Sequence, residues 1–377
     1  MTGKHTSSTH PPLLPTTEDD TVNRLRLLRS RRVGVATYHR LLAEHGSAHN
    51  ALKVLPEIAK SAGVSGYEIC PIGVVKAELA AAKSAGARLL IHGTPDYPAG
   101  LADLADAPPL LWCLGQTALL GRPMIALVGA RNASSLGTRM AKRLATDLAA
   151  AGFTVVSGLA RGIDTAAHHG ALEGGTIAVL AGGVDVIYPA ENAELSNKIK
   201  QKGLIVSEMP MGLQPQARHF PMRNRIISGL ARAVVVVEAA AKSGSLITAR
   251  NALDQARDVL AVPGHPFDAR AAGCNMLLRD GATLVRNAED VIEAVGAINT
   301  AAPELPLKPP AKAAPKLRDT AKLHNMILSR LGPTPIAEDQ LLRDIAAPAT
   351  SVAPVLVDLE LDGKITRQAG GLLAKTG

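Results

Sequence analysis

The sequence predicts an α/β protein built around a Rossmann-like, doubly wound and mainly parallel sheet. Two observations predict this class. Between residues 124 and 286, short apolar runs alternate with helix-length segments, and each run is continuously apolar, which is typical of strands covered on both faces. Glycine or serine follows nearly every run, as in folds that bind ligands at the carboxyl ends of their strands. A small helical domain is expected before the sheet and a winged helix after it.

Length and composition limit the possible functions. The 377 residues leave room for about two or three domains. The formal net charge of +8 makes a polyanionic partner a reasonable hypothesis. Aromatic residues make up only 2% of the chain, which argues against a platform that stacks many successive bases.

Cysteines and hydropathy predict the compartment. Cys70, Cys113 and Cys274 are far apart and form no zinc-ligand pattern, so neither a metal nor a cofactor is expected. No apolar run approaches the length of a membrane span, and residues 1–20 lack the apolar core of a signal peptide. We therefore expect a cytoplasmic protein without a membrane partner, beginning with a disordered tail over residues 1–20.

Residues 21–95 are predicted to form a small helical domain of the sterile-alpha-motif or helix-hairpin-helix type. Within residues 21–60, eight basic residues face two acidic ones. The stretch RRVGVATYHRLLAEHG could present helix amides to a phosphate. A helical packing module with a solvated basic face explains the pattern equally well, and both interpretations stay open.

Residues 96–300 are predicted to form the sheet domain, and two further segments follow it. Residues 301–319 are rich in proline, alanine and lysine and are typical of an extended linker. Residues 320–377 offer three helices and then two short β-type segments, the order of a winged helix. The predicted strands of the sheet are the runs MIALVGA, FTVVSG, TIAVLAGG, LIVSE, AVVVVEA and DVLAVPG.

The loop after the first predicted strand contains Gly129, Arg131 and Ser134. Its backbone amides and the following helix could cradle a phosphate, and Arg131 could add a bidentate contact. The loop has neither the Gly-Lys-Ser/Thr of a Walker A motif nor a G-x-G-x-x-G. Nucleoside triphosphate hydrolysis and dinucleotide-dependent hydride transfer are therefore disfavoured.

The loop after the second predicted strand combines phosphate-binding candidates with two titratable groups. Asp164 and His168 are four residues apart and would share a helix face, as an acid–base pair or metal ligands would. The favoured interpretation is structural: Asp164 fixes the loop, His168 packs beneath it, and Asp185 and Glu238 likewise hold later loops. The candidates for phosphate contact here are Ser157, Gly158, Arg161 and Gly162.

The densest basic cluster of the sheet domain lies around Phe220. Phe220 could stack on a base, and Arg223 and Arg225 would point to different sides of a helix. The alternative places Phe220 in the core and the arginines in ion pairs. Candidates for nucleic-acid contact here and in the last glycine-rich loop are Arg218, Phe220, Arg223, Asn224, Arg225, Lys242, Gly244 and Ser245. Several anion sites along one sheet edge suit a polymer better than a single small phosphate.

Taken together and in this order, the motifs resemble the bacterial DNA-processing protein A family. The resemblance spans roughly residues 96–290, and the flanking domains fit it more loosely. The matching segments are GARNASSLG, SGLARGID, GGVDVIYPAEN, SEMP, FPMRNRIISGL, VVVEAAAKSGSLITA, VPG and GCNMLLRDGA.

This resemblance implies a homodimer that binds single-stranded DNA and helps to load the RecA recombinase on it during natural transformation, without a catalytic reaction. Arg131 matches the arginine of the family's Gly-Ser-Arg loop, whereas Ala130 replaces its serine. The segment from Phe220 to Arg225 matches the region that would shape the DNA groove.

Two alternatives remain. The first is a nucleotide-cleaving enzyme similar to phosphoribohydrolases; those carry a catalytic glutamate in Pro-Gly-Gly-x-Gly-Thr-x-x-Glu, whereas residues 242–249 read KSGSLITA without an acid. The second makes the winged helix the DNA reader. Its third helix contains Asp358 and Glu360, which suits a phosphate-lined groove poorly, so we expect this domain to contact protein or merely to pack.

Overall fold

The structure is a computed structural model that describes residues 18–297, 317–332, 334–345, 347, 349–368 and 372–376. The chain divides into two compact units, Met1–Asn299 and Thr300–Gly377. Residues 1–17 of the predicted tail, and the predicted linker up to residue 316, lie outside the described residues. The first helix begins at Glu18, so the end of the predicted tail is helical.

Four helices open the first unit. Ser47 accepts a hydrogen bond from the Asn50 amide and so caps the third helix, while Gly46 and Gly86 end the second and fourth in the left-handed conformation that favours glycine. The apolar faces of the first three pack around the buried Tyr38 and Leu41, whereas Val75 and Ala82 of the fourth belong to a separate cluster with Trp112. The helices are α1 (Glu18–Arg29), α2 (Val35–His45), α3 (Ala48–Ser61) and α4 (Ile72–Ala85).

A nine-stranded sheet follows, in the order β1-β2-β6-β5-β4-β3-β7-β8-β9. The strands from β6 to β9 in that order are parallel, and β2 is antiparallel to both of its neighbours. The mainly parallel, doubly wound fold predicted from the sequence is confirmed. The strands are β1 (Arg88–Ile91), β2 (Leu110–Gly115), β3 (Met124–Gly129), β4 (Thr154–Ser157), β5 (Thr176–Val179), β6 (Leu204–Ser207), β7 (Ala233–Glu238), β8 (Asp258–Ala261) and β9 (Thr283–Leu284).

All six predicted strands are present, and β1, β2 and β9 were missed. β1 lies inside the segment that was predicted to be helical, so the sheet begins before residue 96. Its length does not explain this, because β4, β5, β6 and β8 also have four residues; β1 lies at the edge of the sheet and pairs with β2, and no local pattern specifies that pairing.

Helices cover both faces of the sheet. Ile125 and Leu127 of β3 pack against α6, α7 and α12, whereas Ala126 and Val128 pack on the side of α9, α10 and α11. This two-sided burial explains why the strands are continuously apolar. The remaining helices of this unit are α5 (Ala99–Ala102), α6 (Ser135–Ala150), α7 (Ile163–Ala171), α8 (Ala193–Lys202), α9 (His219–Leu230), α10 (Ser245–Asp254), α11 (Ala272–Arg279) and α12 (Ala288–Val295), with 3₁₀ helices at Thr117–Gly121 and Ala190–Asn192.

A buried carboxylate joins the helical region to the sheet. Glu78 of α4 accepts two hydrogen bonds from Arg29 of α1, at 3.0 and 2.8 Å, and a third from the indole of Trp112 in β2, at 2.8 Å. All three side chains are largely buried. The helices and the sheet therefore pack as parts of one unit.

The second unit is a winged helix, as predicted. Its helices pack around the buried Ile327, Leu341 and Leu356. The strand β10 was not predicted, and it completes a three-stranded sheet in the order β10-β12-β11. The elements are α13 (Leu317–Arg330), β10 (Ile336–Ala337), α14 (Glu338–Ile345), α15 (Ala349–Leu361), β11 (Ile365–Gln368) and β12 (Leu372–Lys375). Among the described residues of the whole chain, no helix combines the length and the apolar character needed to cross a membrane.

Candidate nucleic-acid interface

A cleft opens at the carboxyl ends of β3, β4 and β7. The chain leaves β3 toward β4 on one side and later returns to β7 on the other, so this is the topological switch point where doubly wound sheets bind ligands. Two adjoining hollows of about 140 and 20 Å³ share Arg131, Ala160, Phe220 and Arg223 in their walls. We call these two hollows together the carboxyl-edge cleft.

The centre of the carboxyl-edge cleft is an arginine stacked on an aromatic ring. The guanidinium carbon of Arg131 lies 5.0 Å from the centroid of Phe220, a cation–π contact. Tyr188 adds a second ring at 5.7 Å from Phe220 and is 48% exposed. Arg131 is exposed and makes no ion pair with any described residue, so its charge is available to a ligand.

Arg223 forms the floor of this cleft. It is buried, and its Nη2 donates to the Gly158 carbonyl at 3.0 Å. A Cβ atom at position 158 would collide with the Arg223 guanidinium, which explains the glycine there. Burial lowers the pKa of Arg223 to about 10 against the effect of the nearby Asp164 carboxylate. Arg223 Nε is buried without a partner among the described residues, so one donor is unused.

Asp164 and His168 hold the loop after β4. The Asp164 carboxylate accepts from the amides of Gly158 and Ala160, and burial raises its pKa. His168 Nε2 accepts from the Leu159 amide at 3.2 Å, and Nδ1 lies 2.7 Å from the Thr176 hydroxyl. Both ring nitrogens are therefore engaged, which supports the structural interpretation over acid–base chemistry. Within the described residues, no group of three or more His, Cys, Asp or Glu could hold a metal ion.

Glu238 fills the place where the sequence predicted a phosphate cradle. Its carboxylate accepts from the Ser134 amide at 2.9 Å and from the Ser134 hydroxyl, and its carbonyl accepts from the Ala130 amide. Ser134 in turn caps α6 through the Gly137 amide. The amides of Ser134 and Gly137 at the start of α6 are therefore satisfied within the protein. The predicted phosphate contact of Ser134 does not fit this geometry, and the Ala130 amide is also used internally, whereas Arg131 stays available.

The loop between β7 and α10 forms the opposite wall of the carboxyl-edge cleft. Ser243, Gly244 and Ser245 line it at the start of α10. Asn224 of α9 reaches the Gly244 carbonyl at 3.5 Å and so lies on the same wall. Lys242 is exposed next to this loop, although its side chain does not line the cleft.

Several candidate residues lie outside the carboxyl-edge cleft or only hold its loops in place. Arg225 points away from Arg223, as expected, and its guanidinium pairs with Glu208 and Asp106, so its placement does not fit a DNA contact. Arg218 is exposed beside His219 and lines neither hollow. Gly129 lies on the wall of the cleft, and Arg161 lies at its rim, where it pairs with Glu191. The Ser157 hydroxyl donates to the Leu127 carbonyl, and Gly162, with φ +77°, packs against the Ala130 carbonyl. Asp185 accepts a hydrogen bond from the Gly212 amide.

Tyr188 is the main feature that the sequence analysis missed. It lies nine residues after the end of β5, and nothing in its spacing ties it to Phe220. The signal that the sequence offers is the scarcity of aromatic residues: with four tyrosines and three phenylalanines in the whole chain, a tyrosine in a strand-end loop is a candidate for ligand contact. The sequence does not decide whether Phe220 stacks on a base or lies in the core; in the structure the ring is half-buried, with one side covered by Arg131.

Three family models match the chain. The model for DNA recombination-mediator protein A matches residues 88–296. A DprA-like N-terminal HHH domain matches residues 18–81, and a DprA winged helix domain matches residues 309–371.

Individual relatives agree with these matches. The chain is 36% identical over 320 residues to Protein Smf of Synechocystis, which covers 75% of this chain and 79% of that protein. It is similar to the X-ray structure of DNA processing protein A from Streptococcus pneumoniae, with 35% identity and a TM-score of 0.61 over 72% of this chain and 97% of the other. A structure of DNA processing protein A from Helicobacter pylori, described for its single-stranded DNA binding mode, matches with 32% identity and a TM-score of 0.52 over 55% and 95% of the two chains.

Proposed function

Since the chain belongs to the DNA recombination-mediator protein A family, we propose that it binds single-stranded DNA in the carboxyl-edge cleft as a recombination mediator. The Helicobacter pylori relative, studied for its binding of single-stranded DNA, supports this choice of ligand. The single observation that carries the proposal is the exposed guanidinium of Arg131 held over the ring of Phe220.

This pair fits both parts of a nucleotide. Arg131 offers a bidentate contact to a backbone phosphate. The rings of Phe220 and Tyr188 offer a surface for one or two bases, each worth about 1 to 3 kcal/mol when stacked. No element of this site reads base edges, so binding would tolerate any sequence and weaken with salt.

The wider role follows from the family. We propose that the bound strand is passed to the RecA recombinase during natural transformation, that the protein works as a homodimer in the cytoplasm, and that no chemical reaction is involved. The missing acid in residues 242–249 (KSGSLITA) supports the last point, because similar phosphoribohydrolases carry their catalytic glutamate at the end of the corresponding motif. Arg223, Asn224, Gly244 and Ser245 would complete the DNA contacts around Arg131.

The test is the affinity for a fluorescent oligothymidine across a salt series. Replacing Arg131 by alanine removes one phosphate contact, so we expect binding to weaken about tenfold or more and the salt slope to fall by about 0.7. Duplex DNA of equal length should bind more weakly than the single strand to the unaltered protein.

The matched control is Arg139→Ala. Arg139 is exposed on α6, lines no part of the carboxyl-edge cleft and has no ion pair with a described residue. Its replacement removes the same charge and should leave the affinity within about twofold. Equal losses in both variants would show that net charge, and not the Arg131 site, binds the strand.

A further inference from the structure

We infer that a second cleft, at the amino ends of the strands, binds a phosphorylated small molecule of nucleotide size. Its volume is about 690 Å³, and residues 95–100 and 117–123 form much of its wall. β3 begins in this cleft and ends in the carboxyl-edge cleft. Six residues of strand separate the two by roughly 17 Å. We call this the amino-edge cleft.

The amino-edge cleft contains a row of three arginines. Arg122 precedes β3 by two positions, Arg232 directly precedes β7, and Arg257 directly precedes β8. These three strands are neighbours, about 4.8 Å apart. Ala233 of β7 pairs with Asp258 of β8, so Arg232 and Arg257 occupy corresponding positions just before these two neighbouring strands.

Two of these guanidinium groups are held in place by backbone carbonyls. Arg122 Nη1 donates to the Gly174 carbonyl and Arg257 Nη2 donates to the Gly100 carbonyl, each at 2.9 Å. Each keeps further N–H groups for a ligand, because a guanidinium has five. Arg257 Nε is buried and has no partner among the described residues. Arginines that are fixed in this way lose little entropy when they bind an anion.

The positive charge of the row is not balanced by the residues around it. Among the described residues, Asp96 is the one acidic residue that lines the amino-edge cleft, and it is paired with Arg88. Arg232 is exposed and makes no side-chain hydrogen bond or ion pair with the part of the chain that is described. Neighbouring like charges repel each other. An anion with two or more charges would remove this repulsion and gain charge-assisted hydrogen bonds.

The rest of the amino-edge cleft indicates the size and kind of this anion. Leu90, Leu120, Met124 and Leu230 supply apolar wall next to the arginines. The volume lies in the range of small-molecule sites, about 300 to 1,000 Å³. A nucleotide fits both parts, with its phosphates on the arginine row and its base on the apolar wall. An inorganic polyphosphate has the same charge but nothing to cover that wall.

The test is calorimetric titration of the full chain with magnesium-free ATP at physiological salt. Arg232→Ser removes an exposed side chain that makes no side-chain hydrogen bond or ion pair with the described residues, so the variant should fold normally. We expect it to bind ATP about tenfold more weakly or worse. The matched control Arg139→Ser, and Arg131→Ala in the carboxyl-edge cleft, should both stay within about twofold.

Inorganic tripolyphosphate and an oligothymidine complete the test. We expect tripolyphosphate to bind more weakly than ATP, and an oligothymidine to leave ATP binding unchanged. The inference is overturned by undetectable ATP binding, by equal losses in Arg232→Ser and Arg139→Ser, or by tripolyphosphate binding as tightly as ATP. Displacement of ATP by oligothymidine, or loss of ATP binding in Arg131→Ala, would place ATP in the carboxyl-edge cleft instead and would also overturn it.

Discussion

At the residue scale, the buried His168 links the stability of the protein to pH. Burial lowers its pKa to about 3, helped by the charge of Arg223, whereas the unfolded chain keeps an ordinary value near 6.5. At pH values between these two pKa values, the His168 imidazole is protonated in the unfolded state and neutral in the folded state. The free energy of unfolding therefore falls as the pH falls below 6.5, by about 1.4 kcal/mol per unit from this group.

We expect this contribution to disappear in His168→Gln. Urea unfolding at about pH 7.5 and about pH 5 should show that the wild-type protein loses about 2 kcal/mol more on acidification than the variant does. His49→Gln, which replaces an exposed histidine of α3, is the control and should follow the wild-type protein. An unchanged pH dependence in His168→Gln would show that another group is responsible.

The sequence favours structural roles for Asp164 and His168, although their spacing on a helix also suits an acid–base pair. Their hydrogen bonds to the loop after β4 support the structural roles. The sequence predicts that Glu238 holds a loop, but not that its partner is Ser134 at the start of α6, because this contact depends on the pairing of β3 with β7 and the two residues lie 104 positions apart. For the same reason, the sequence does not show that the Ser134 amide binds an internal carboxylate instead of an external phosphate.

At the scale of elements, Glu78 decides how α1 and α4 attach to the sheet. Glu78→Ala would leave the Arg29 guanidinium and the Trp112 indole N–H buried without their partner. We expect a loss of about 3 to 5 kcal/mol in the free energy of unfolding. Glu78→Gln keeps an accepting oxygen and should lose less.

The single tryptophan of the sequence reports on this change directly, because Trp112 is itself a partner. Urea unfolding followed by its fluorescence gives the free energy for both variants. Glu57→Ala on the exposed side of α3 is the control and should change stability by less than about 0.5 kcal/mol. If Glu78→Ala were as stable as this control, the three hydrogen bonds would not hold these elements together.

The sequence predicts those strands that are buried on both faces of the sheet. The core runs such as AVVVVE stand out because each side chain meets a helix layer. β1, β2, β9 and β10 have two to six residues and lie toward the edges of their sheets. Their pairing depends on neighbours distant in sequence, and no local pattern specifies it.

At the scale of the whole molecule, the winged helix has its own core and an unfavourable charge pattern for DNA. Glu338 and Glu360 pair with Arg367, and Asp362 pairs with Lys364. Removal of all residues after 299 should leave the affinity for oligothymidine within about twofold. The isolated winged helix should not bind duplex DNA.

Fluorescence anisotropy with the full and the shortened chain gives this comparison, with circular dichroism as a check that the shortened chain is folded. A loss of about tenfold or more in the shortened chain, or duplex binding by the winged helix alone, would assign it a part in DNA binding. The net charge of +8 could not decide this point, because most of the surplus lies in residues 21–60. The order of the domains was predictable from composition, whereas the charge of each binding surface required the fold.

The carboxylate of Glu238 at the start of α6 has a consequence for competition inside the cell. In many doubly wound proteins this position receives the phosphate of a mononucleotide. Here the protein carries its own substitute for that phosphate. In the carboxyl-edge cleft, free nucleotides therefore lack this usual anchor, and a ligand there must gain its affinity from several other contacts. A DNA strand offers such repeated contacts and a single nucleotide does not, so free nucleotides would compete weakly with the proposed DNA binding in this cleft.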